Sequence, residues 1–139
     1  MYLIWTNYKQ ALYLTCFQIN MQEKINCKPV EIFRTVYGTV QQCNLKNTYL
    51  LDFYGQCSAF KASDFLDFVR KVNNIDLEEM VRSTSRNSDI VILMPHYTER
   101  CFVLSISEVL NLRELLQGAK FILNLNSMLC ECLRGSNVL

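Results

Sequence analysis

Seven cysteines are the residues of this chain with the most distinctive chemistry, and two of them form a Cys-x-Cys motif at Cys130 and Cys132. Thiolates are soft ligands that suit zinc, so Cys43, Cys130 and Cys132 are weak candidates for a metal site. A tetrahedral site needs four ligands, and Cys27 or His96 would have to complete it. Residues two apart on a helix point about 200° away from each other, so the motif chelates only where a helix has already ended. We favour a structural role for these cysteines.

Acid–base and nucleophilic chemistry has few candidates. The single histidine, His96, could pair with Cys101 or Glu99 as general base and nucleophile. It falls in a predicted hairpin turn, and no spacing enforces hydrogen-bond reach between these side chains. Asp64 and Asp67 share a predicted helix, where the helix dipole and solvation explain them. The four glycines are isolated and begin no phosphate-binding motif. The sequence therefore predicts a non-enzymatic protein without catalytic residues and without a cofactor.

Composition narrows the class of protein further. The chain has 139 residues, 50% of them hydrophobic, and a formal net charge of +1. This length suits one domain with a buried core, which excludes a disordered chain. A net charge near zero supplies no field that attracts nucleic acid, so none is expected as a partner. An odd number of cysteines without a secretory leader is typical of reduced thiols, and predicts a cytoplasmic protein.

Residues 1–20 differ from the rest of the chain. They are apolar and aromatic, and Lys9 is their only charged residue. Polar residues interrupt the segment before it reaches the ~20 apolar residues of a bilayer span, so no stable membrane insertion is expected. We hypothesise that residues 1–20 pack poorly or are not native sequence, with Met21 as the biological start. Residues 21–139 are then one α+β domain with halves at about 32–76 and 89–133.

The predicted elements are short antiparallel strands followed, in each half, by one helix. Strands are expected within residues 32–37, 39–43, 48–54 and 57–60 of the first half and within 89–94 and 101–106 of the second. Gly38 and Gly55 are expected at turns. The helices are predicted from Ser63 to about Asn74 and from Ser107 to about Leu129, with both serines as N-caps. The fold class is thus α+β, an antiparallel sheet covered by two main helices.

The two halves share a hidden pattern. Phe60 and Leu104, Ser63 and Ser107, and several neighbouring pairs are separated by 44 residues. A strand, a helix start and a helix therefore occur twice in the same register. One such unit alone cannot enclose a core, whereas two units can. The sequence favours a repeated ββα unit. Duplication and coincidence explain this repeat equally well.

The C-terminal part of the second helix carries more apolar residues than one sheet face needs. Phe121, Leu125 and Leu129 belong to this surplus, which continues to Leu133. An apolar face of this kind either crosses the core or forms an interface. We therefore predict a protein-interaction domain, with self-association through Phe121, Leu125 and Leu129, so that a homo-oligomer or a protein partner is expected. A metal- or thiol-dependent protein, zinc-knuckle-like or redox-active, is the alternative.

The hydrophobic and turn positions from Ile32 to about Leu129 resemble a small bacterial family, of Bacteroidetes type, that is a domain of unknown function. The resemblance rests on Gly38, on Cys43-Asn44-Leu45-Lys46, on Tyr49 to Phe53, and on Ser63-Asp64-Phe65 with Phe68. It implies an N-terminal hairpin that often carries Cys-x-x-Cys, like a metal knuckle. In this chain Lys46 stands at the second cysteine position. The resemblance implies no activity.

Overall fold

The computed structural model describes residues 28–85, 89–95, 97–98 and 100–136, and these residues form an α+β fold. A four-stranded antiparallel sheet has the order β1-β2-β3-β4, and a separate antiparallel hairpin is formed by β5 and β6. The predicted α+β class is confirmed, with the strands divided between two sheets. The bounds are β1 (Val30–Thr35), β2 (Gly38–Cys43), β3 (Thr48–Phe53), β4 (Gln56–Lys61), α1 (Ala62–Asn73), α2 (Leu77–Arg82), β5 (Ile90–Leu93), β6 (Phe102–Ser105) and α3 (Ile106–Ser136).

Tight turns join the strands of the four-stranded sheet. Tyr54 and Gly55 both have positive φ, 49° and 75°, as a two-residue hairpin turn of the favoured twist requires. Gly38 does not lie in the predicted turn but is the first residue of β2. A Cβ atom there would lie 2.1 Å from the carbonyl oxygen of Asp52 on β3. The glycine is therefore needed because the two backbones approach closely.

Helix α1 follows β4 without a loop. Lys61 is the N-cap residue and makes no side-chain capping bond, so the prediction that Ser63 caps this helix is wrong. The helix starts earlier because the last strand residue already provides the extended backbone of an N-cap. The buried face consists of Phe65, Phe68, Val69 and Val72, as the 3.6-residue period predicts. A further short helix, α2, lies in the connector between the two halves.

Helix α3 also follows its strand directly, at Ile106, but it has a capping box. The backbone N–H of Ser105 donates to Glu108 Oε2 at 2.8 Å, and the Glu108 N–H donates to Ser105 Oγ at 3.3 Å. This reciprocal pair satisfies donors that a helix start leaves open. Ser105 thus has the capping role predicted for Ser107. The helix has 31 residues and ends at Ser136, beyond the predicted end near Leu129.

One hydrophobic core joins both halves, and its residues confirm the 44-residue register as a structural pattern. Its members come from β2, β3, β4 and α1 on one side and from β6 and α3 on the other. Five pairs of buried residues are separated by 44 positions: Ser58 and Phe102, Phe60 and Leu104, Phe65 and Val109, Phe68 and Leu112, and Val72 and Leu116. The two ββα units therefore contribute equivalent side chains to one core.

Polar contacts join each helix to a hairpin tyrosine of the other unit. The Tyr97 hydroxyl, in the β5–β6 loop, donates to Asp67 on α1 at 3.1 Å. Conversely, Asn111 on α3 donates to the hydroxyl of Tyr54, in the β3–β4 turn, at 2.9 Å. Positions 67 and 111 are 44 residues apart, so each helix holds the hairpin tyrosine of the other unit. The tyrosines themselves, Tyr54 and Tyr97, are 43 residues apart and so lie one position out of this register.

None of the helices in the described part of the chain combines the length and the apolar character of a membrane span.

Candidate interaction surface

The C-terminal half of α3 extends beyond the core. Val109 to Ala119 provide the buried contacts of this helix, whereas every residue from 124 to 135 is exposed. Phe121 is 65% exposed and Leu129 is 53% exposed. We call the five large exposed side chains of this half the α3 apolar surface: Phe121, Leu125, Met128, Leu129 and Leu133. The structure places all three residues of the predicted interface on it.

The α3 apolar surface lies on a different side of the helix from the buried stripe. The buried residues are centred on Leu112 and the exposed ones on Leu125. At about 100° per residue, these two centres are roughly 140° apart around the helix axis. The exposed surface is therefore a second apolar face and does not continue the face that packs on the core.

Polar residues occupy the remaining side of this half of the helix. Lys120, Asn124, Ser127, Glu131 and Arg134 are all exposed and fall within roughly 80° of one another around the axis. The projecting half of α3 is therefore amphipathic in its own right. Amphipathic helices of this kind bury their apolar face against another element or another chain.

Strand β1 packs closely against α3 near the end of its buried stretch. A Cβ atom on Gly118 would lie 2.1 Å from the ring of Phe33 on β1. The absence of a side chain on Gly118 therefore lets this ring pack against the helix backbone. The α3 apolar surface begins three residues later, at Phe121, beyond this contact.

A second apolar surface lies on the β5–β6 hairpin. Ile92 pairs directly with Val103, and they are 63% and 57% exposed. Ile90 and Met94 lie on the same side by strand alternation and are also exposed. We call Ile90, Ile92, Met94 and Val103 the hairpin apolar surface. The opposite side of the hairpin carries the buried Phe102 and Leu104, so both sides of this hairpin are apolar.

The signal for the hairpin apolar surface was present in the sequence. Residues 90–94 are all apolar, and a two-stranded hairpin with one helix beside it buries only one of its two sides. A continuous apolar run of this kind is also typical of a strand that is buried on both sides. A strand that is buried on both sides and a strand of this hairpin differ only in the number of strands in their sheet.

The predicted metal candidates lie in different environments. Cys130 and Cys132 are reduced and exposed on α3, and the helix continues past them to Ser136, so the condition for joint chelation is not met. Cys43 is buried on β2 and is disulfide-bonded. Among the described residues, no group of three or more His, Cys, Asp and Glu side chains has the arrangement of a metal site.

The predicted nucleophile and base are only partly described. Cys101 is a reduced, exposed residue immediately before β6. His96 and Glu99 lie outside the described residues. The structure therefore brings no pair of these candidates together.

The titratable cluster with the most contacts surrounds Asp67. Lys71 Nζ lies 3.1 Å from Asp67 Oδ2 and 5.1 Å from the centre of the Tyr97 ring. The hydrogen bond from Lys71 is the main reason that the pKa of Asp67 is lowered, and the Tyr97 hydroxyl adds to it. Burial and the adjacent Asp67 carboxylate raise the pKa of Tyr97. All three groups are held in contacts with each other, so the cluster joins the hairpin loop to α1.

Arg113 is a further residue whose importance the sequence did not reveal. Its Nε donates to Val72 O at 3.1 Å and its Nη2 to Asn73 O at 3.0 Å, and Nη2 also contacts Ile75 O. These are carbonyls at and just beyond the end of α1, which a helix leaves unsatisfied and which favour a cation. Arg113 therefore caps α1 from the other unit.

Comparisons with known proteins find no matching protein-family model, no matching curated protein and no matching solved structure.

Proposed function

We propose that this protein is a non-enzymatic interaction domain that self-associates through the C-terminal half of α3. The observation that carries the proposal is the α3 apolar surface, which lies outside the core on its own side of the helix. The residues of the predicted interface, Phe121, Leu125 and Leu129, all belong to it.

The physics of an isolated helix supports this function. Twelve consecutive residues, 124–135, are exposed, and helices of about this length are marginally stable in water unless packing supports them. Burying the five side chains of the α3 apolar surface from a half-exposed state would contribute roughly 4–7 kcal/mol per copy. A partner on this surface would therefore stabilise the helix and the complex together.

The alternative, a metal- or thiol-dependent protein, has less support. Cys130 and Cys132 point to different sides of α3, and Cys43 is disulfide-bonded. A zinc site on these three residues would require α3 to unwind near its end and the disulfide to be reduced. Native mass spectrometry of the purified protein distinguishes the two functions, because a bound metal would favour the alternative.

We also propose a cytoplasmic location for this protein. It rests on the odd cysteine count and on the four reduced thiols Cys57, Cys101, Cys130 and Cys132. The disulfide at Cys43 argues in the other direction, because disulfides persist in oxidising compartments. A count of oxidised cysteines in protein trapped with a thiol-blocking reagent in its native cells would decide between them.

Self-association is tested by light scattering on the full chain across a wide concentration range. The wild type is expected to form a species larger than a monomer, and Leu125→Glu and Leu129→Glu are expected to dissociate it. Ser127→Glu is the matched control, because Ser127 is exposed on the polar side of the same helix turn and should leave association unchanged. A wild type that stays monomeric at high concentration, or Glu variants that behave like wild type, would contradict the proposal.

A further inference from the structure

We propose that the partner of the α3 apolar surface is the hairpin apolar surface of a second copy of this chain, in a reciprocal two-fold dimer. This inference rests on the proposed self-association and names the surface that receives the helix. Each copy would insert its projecting α3 against Ile90, Ile92, Met94 and Val103 of the other copy. Two identical helix-on-hairpin contacts would then form.

Both apolar surfaces suit the packing of a helix on a sheet. Within one chain, α1 and α3 already cover the inner sides of the strands, including Phe102 and Leu104 of β6. The hairpin apolar surface is the outer side of the same two strands and has the same residue types. An amphipathic helix laid across it would repeat on the outside the packing that the core uses on the inside.

The projecting half of α3 cannot reach the hairpin apolar surface of its own chain. Helix α3 begins directly after β6 and packs on the inner side. Phe121 lies 15 residues beyond its start, which is about 22 Å along the axis at 1.5 Å per residue. The α3 apolar surface is therefore carried away from the hairpin apolar surface of the same chain, and only another copy can bring the two together.

The area that a stable dimer must bury also favours a contact between the helix and the hairpin. A standard interface buries about 800 Å² per partner, of which roughly 450–520 Å² is apolar. One large apolar side chain supplies about 60–120 Å² when fully buried. Five half-exposed side chains of α3 then give roughly 150–300 Å², too little for a symmetric helix–helix dimer. Adding the four residues of the hairpin raises the total to roughly 270–540 Å², which reaches the required range.

Reciprocity follows from symmetry. When the helix of one copy contacts the hairpin of its partner, a two-fold axis places the partner's helix on the first copy's hairpin. Both surfaces of both copies are then covered. Without that closure the same contact would continue into open chains of molecules.

The experiment is a complementation test with two variants of the full chain. Ile92→Glu damages the receiving surface, and Leu125→Glu damages the inserting surface. Each variant alone loses both contacts, because every contact pairs one helix with one hairpin. We expect each to weaken the dimer at least about tenfold. A heterodimer of the two variants keeps one intact contact, between the helix of Ile92→Glu and the hairpin of Leu125→Glu. An equimolar mixture should therefore form heterodimers at concentrations at which neither variant alone associates, although these are weaker than the wild-type dimer.

Native mass spectrometry of the mixture, with one variant isotope-labelled, reports these species directly. Gln56→Glu, an exposed strand position in the other sheet, is the control and should leave the dimer unchanged. If Ile92→Glu does not fold, as judged by its thermal transition, Ile92→Thr with Val103→Thr replaces it, since threonine keeps the strand propensity. This replacement should also weaken the dimer and complement Leu125→Glu.

The outcomes separate this inference from the proposed function. Heterodimers that form where each variant alone is monomeric support the inference. A dimer that Leu125→Glu breaks and Ile92→Glu leaves intact overturns the inference and keeps self-association through α3. Two monomeric variants that fail to complement each other, or a wild type that grows beyond two copies, also overturn it. A wild type that is monomeric overturns both.

Discussion

The unit formed by β3, β4 and α1 and the unit formed by β5, β6 and α3 place equivalent residues in the core, yet their surroundings differ. In the first unit, β1 and β2 extend the hairpin to four strands, and the helix stops at Asn73 where the core ends. In the second, the hairpin stays two-stranded and the helix continues to Ser136. The two units thus share core positions, and their differences include both surfaces that we assign to association.

Equivalent positions also show where the two units must differ. Val69 on α1 is a buried core residue, and the position 44 residues later is Arg113, which holds the end of α1. Asn73 and Gln117, another equivalent pair, contact each other, with 3.2 Å between Gln117 Nε2 and Asn73 Oδ1. The units are therefore similar in packing and unequal in their polar contacts.

The largest effect is expected when buried side chains at equivalent positions of the two units are truncated, which tests whether both units contribute equally to the core. Phe68→Ala and Leu112→Ala remove fully buried side chains at equivalent positions. Both should lower the free energy of unfolding by about 3–5 kcal/mol, because each leaves a cavity in the shared core. Urea denaturation measures both. A cost below about 1 kcal/mol at either position would show that one unit does not contribute equally.

A smaller effect is expected where the two helix starts differ. Ser105→Ala removes the capping box of α3 and should cost about 1 kcal/mol. Lys61→Ser adds a capping side chain to α1, which has none, and should raise stability by up to about 1 kcal/mol. Thermal unfolding of the two variants measures the changes, with Ser63→Ala, at an exposed position of α1, as the control. If Lys61→Ser destabilises, the start of α1 is held by its strand and not by its cap.

The smallest effect concerns the two tyrosine contacts, of which only one is ionic. Asp67 has a lowered pKa, so its contribution to stability is present above its ordinary value of 3.8 and is lost as pH falls below it through the lowered pKa. Tyr97 has a raised pKa, so its contribution is lost as pH rises above its ordinary value of 10.0. The Asn111 contact carries no carboxylate.

This difference is measured by urea midpoints at several pH values. Asp67→Asn should flatten the loss of stability at acid pH, and Tyr97→Phe should flatten part of the loss at alkaline pH. Asn111→Ala should shift the midpoint by the same amount at every pH. An Asn111→Ala variant that changes the pH dependence would contradict the assignment of this dependence to the Asp67 contact.

Local patterns are sufficient to predict most elements of this fold. The apolar period of 3.6 residues alone places the buried face of α1 on Phe65, Phe68, Val69 and Val72. Alternation and turn residues locate all six described strands to within two residues. The 44-residue register places buried residues at equivalent positions of the two units, such as Phe60 and Leu104. All of these signals depend on neighbours along the chain.

Features that depend on distant parts of the chain are not predictable in this way. The role of Gly38 depends on how close Asp52 lies on the next strand, and the role of Arg113 depends on where α1 ends. The hairpin apolar surface depends on the absence of a third described strand beside β5 and β6. The α3 apolar surface is predictable, because a surplus of apolar residues is visible without knowing what surrounds it.

The direct passage from strand to helix in both units has a consequence for how the chain tolerates change. Lys61 and Ala62, like Ser105 and Ile106, are consecutive residues of a strand and a helix with no loop between them. The direction of the side chains at the end of each strand therefore fixes which residues of the following helix face the core. One inserted residue would rotate the whole helix by about 100° and turn its buried stripe out of the core. Length changes can therefore accumulate in the turn at Asn44 to Asn47, while the two strand–helix junctions must keep their length.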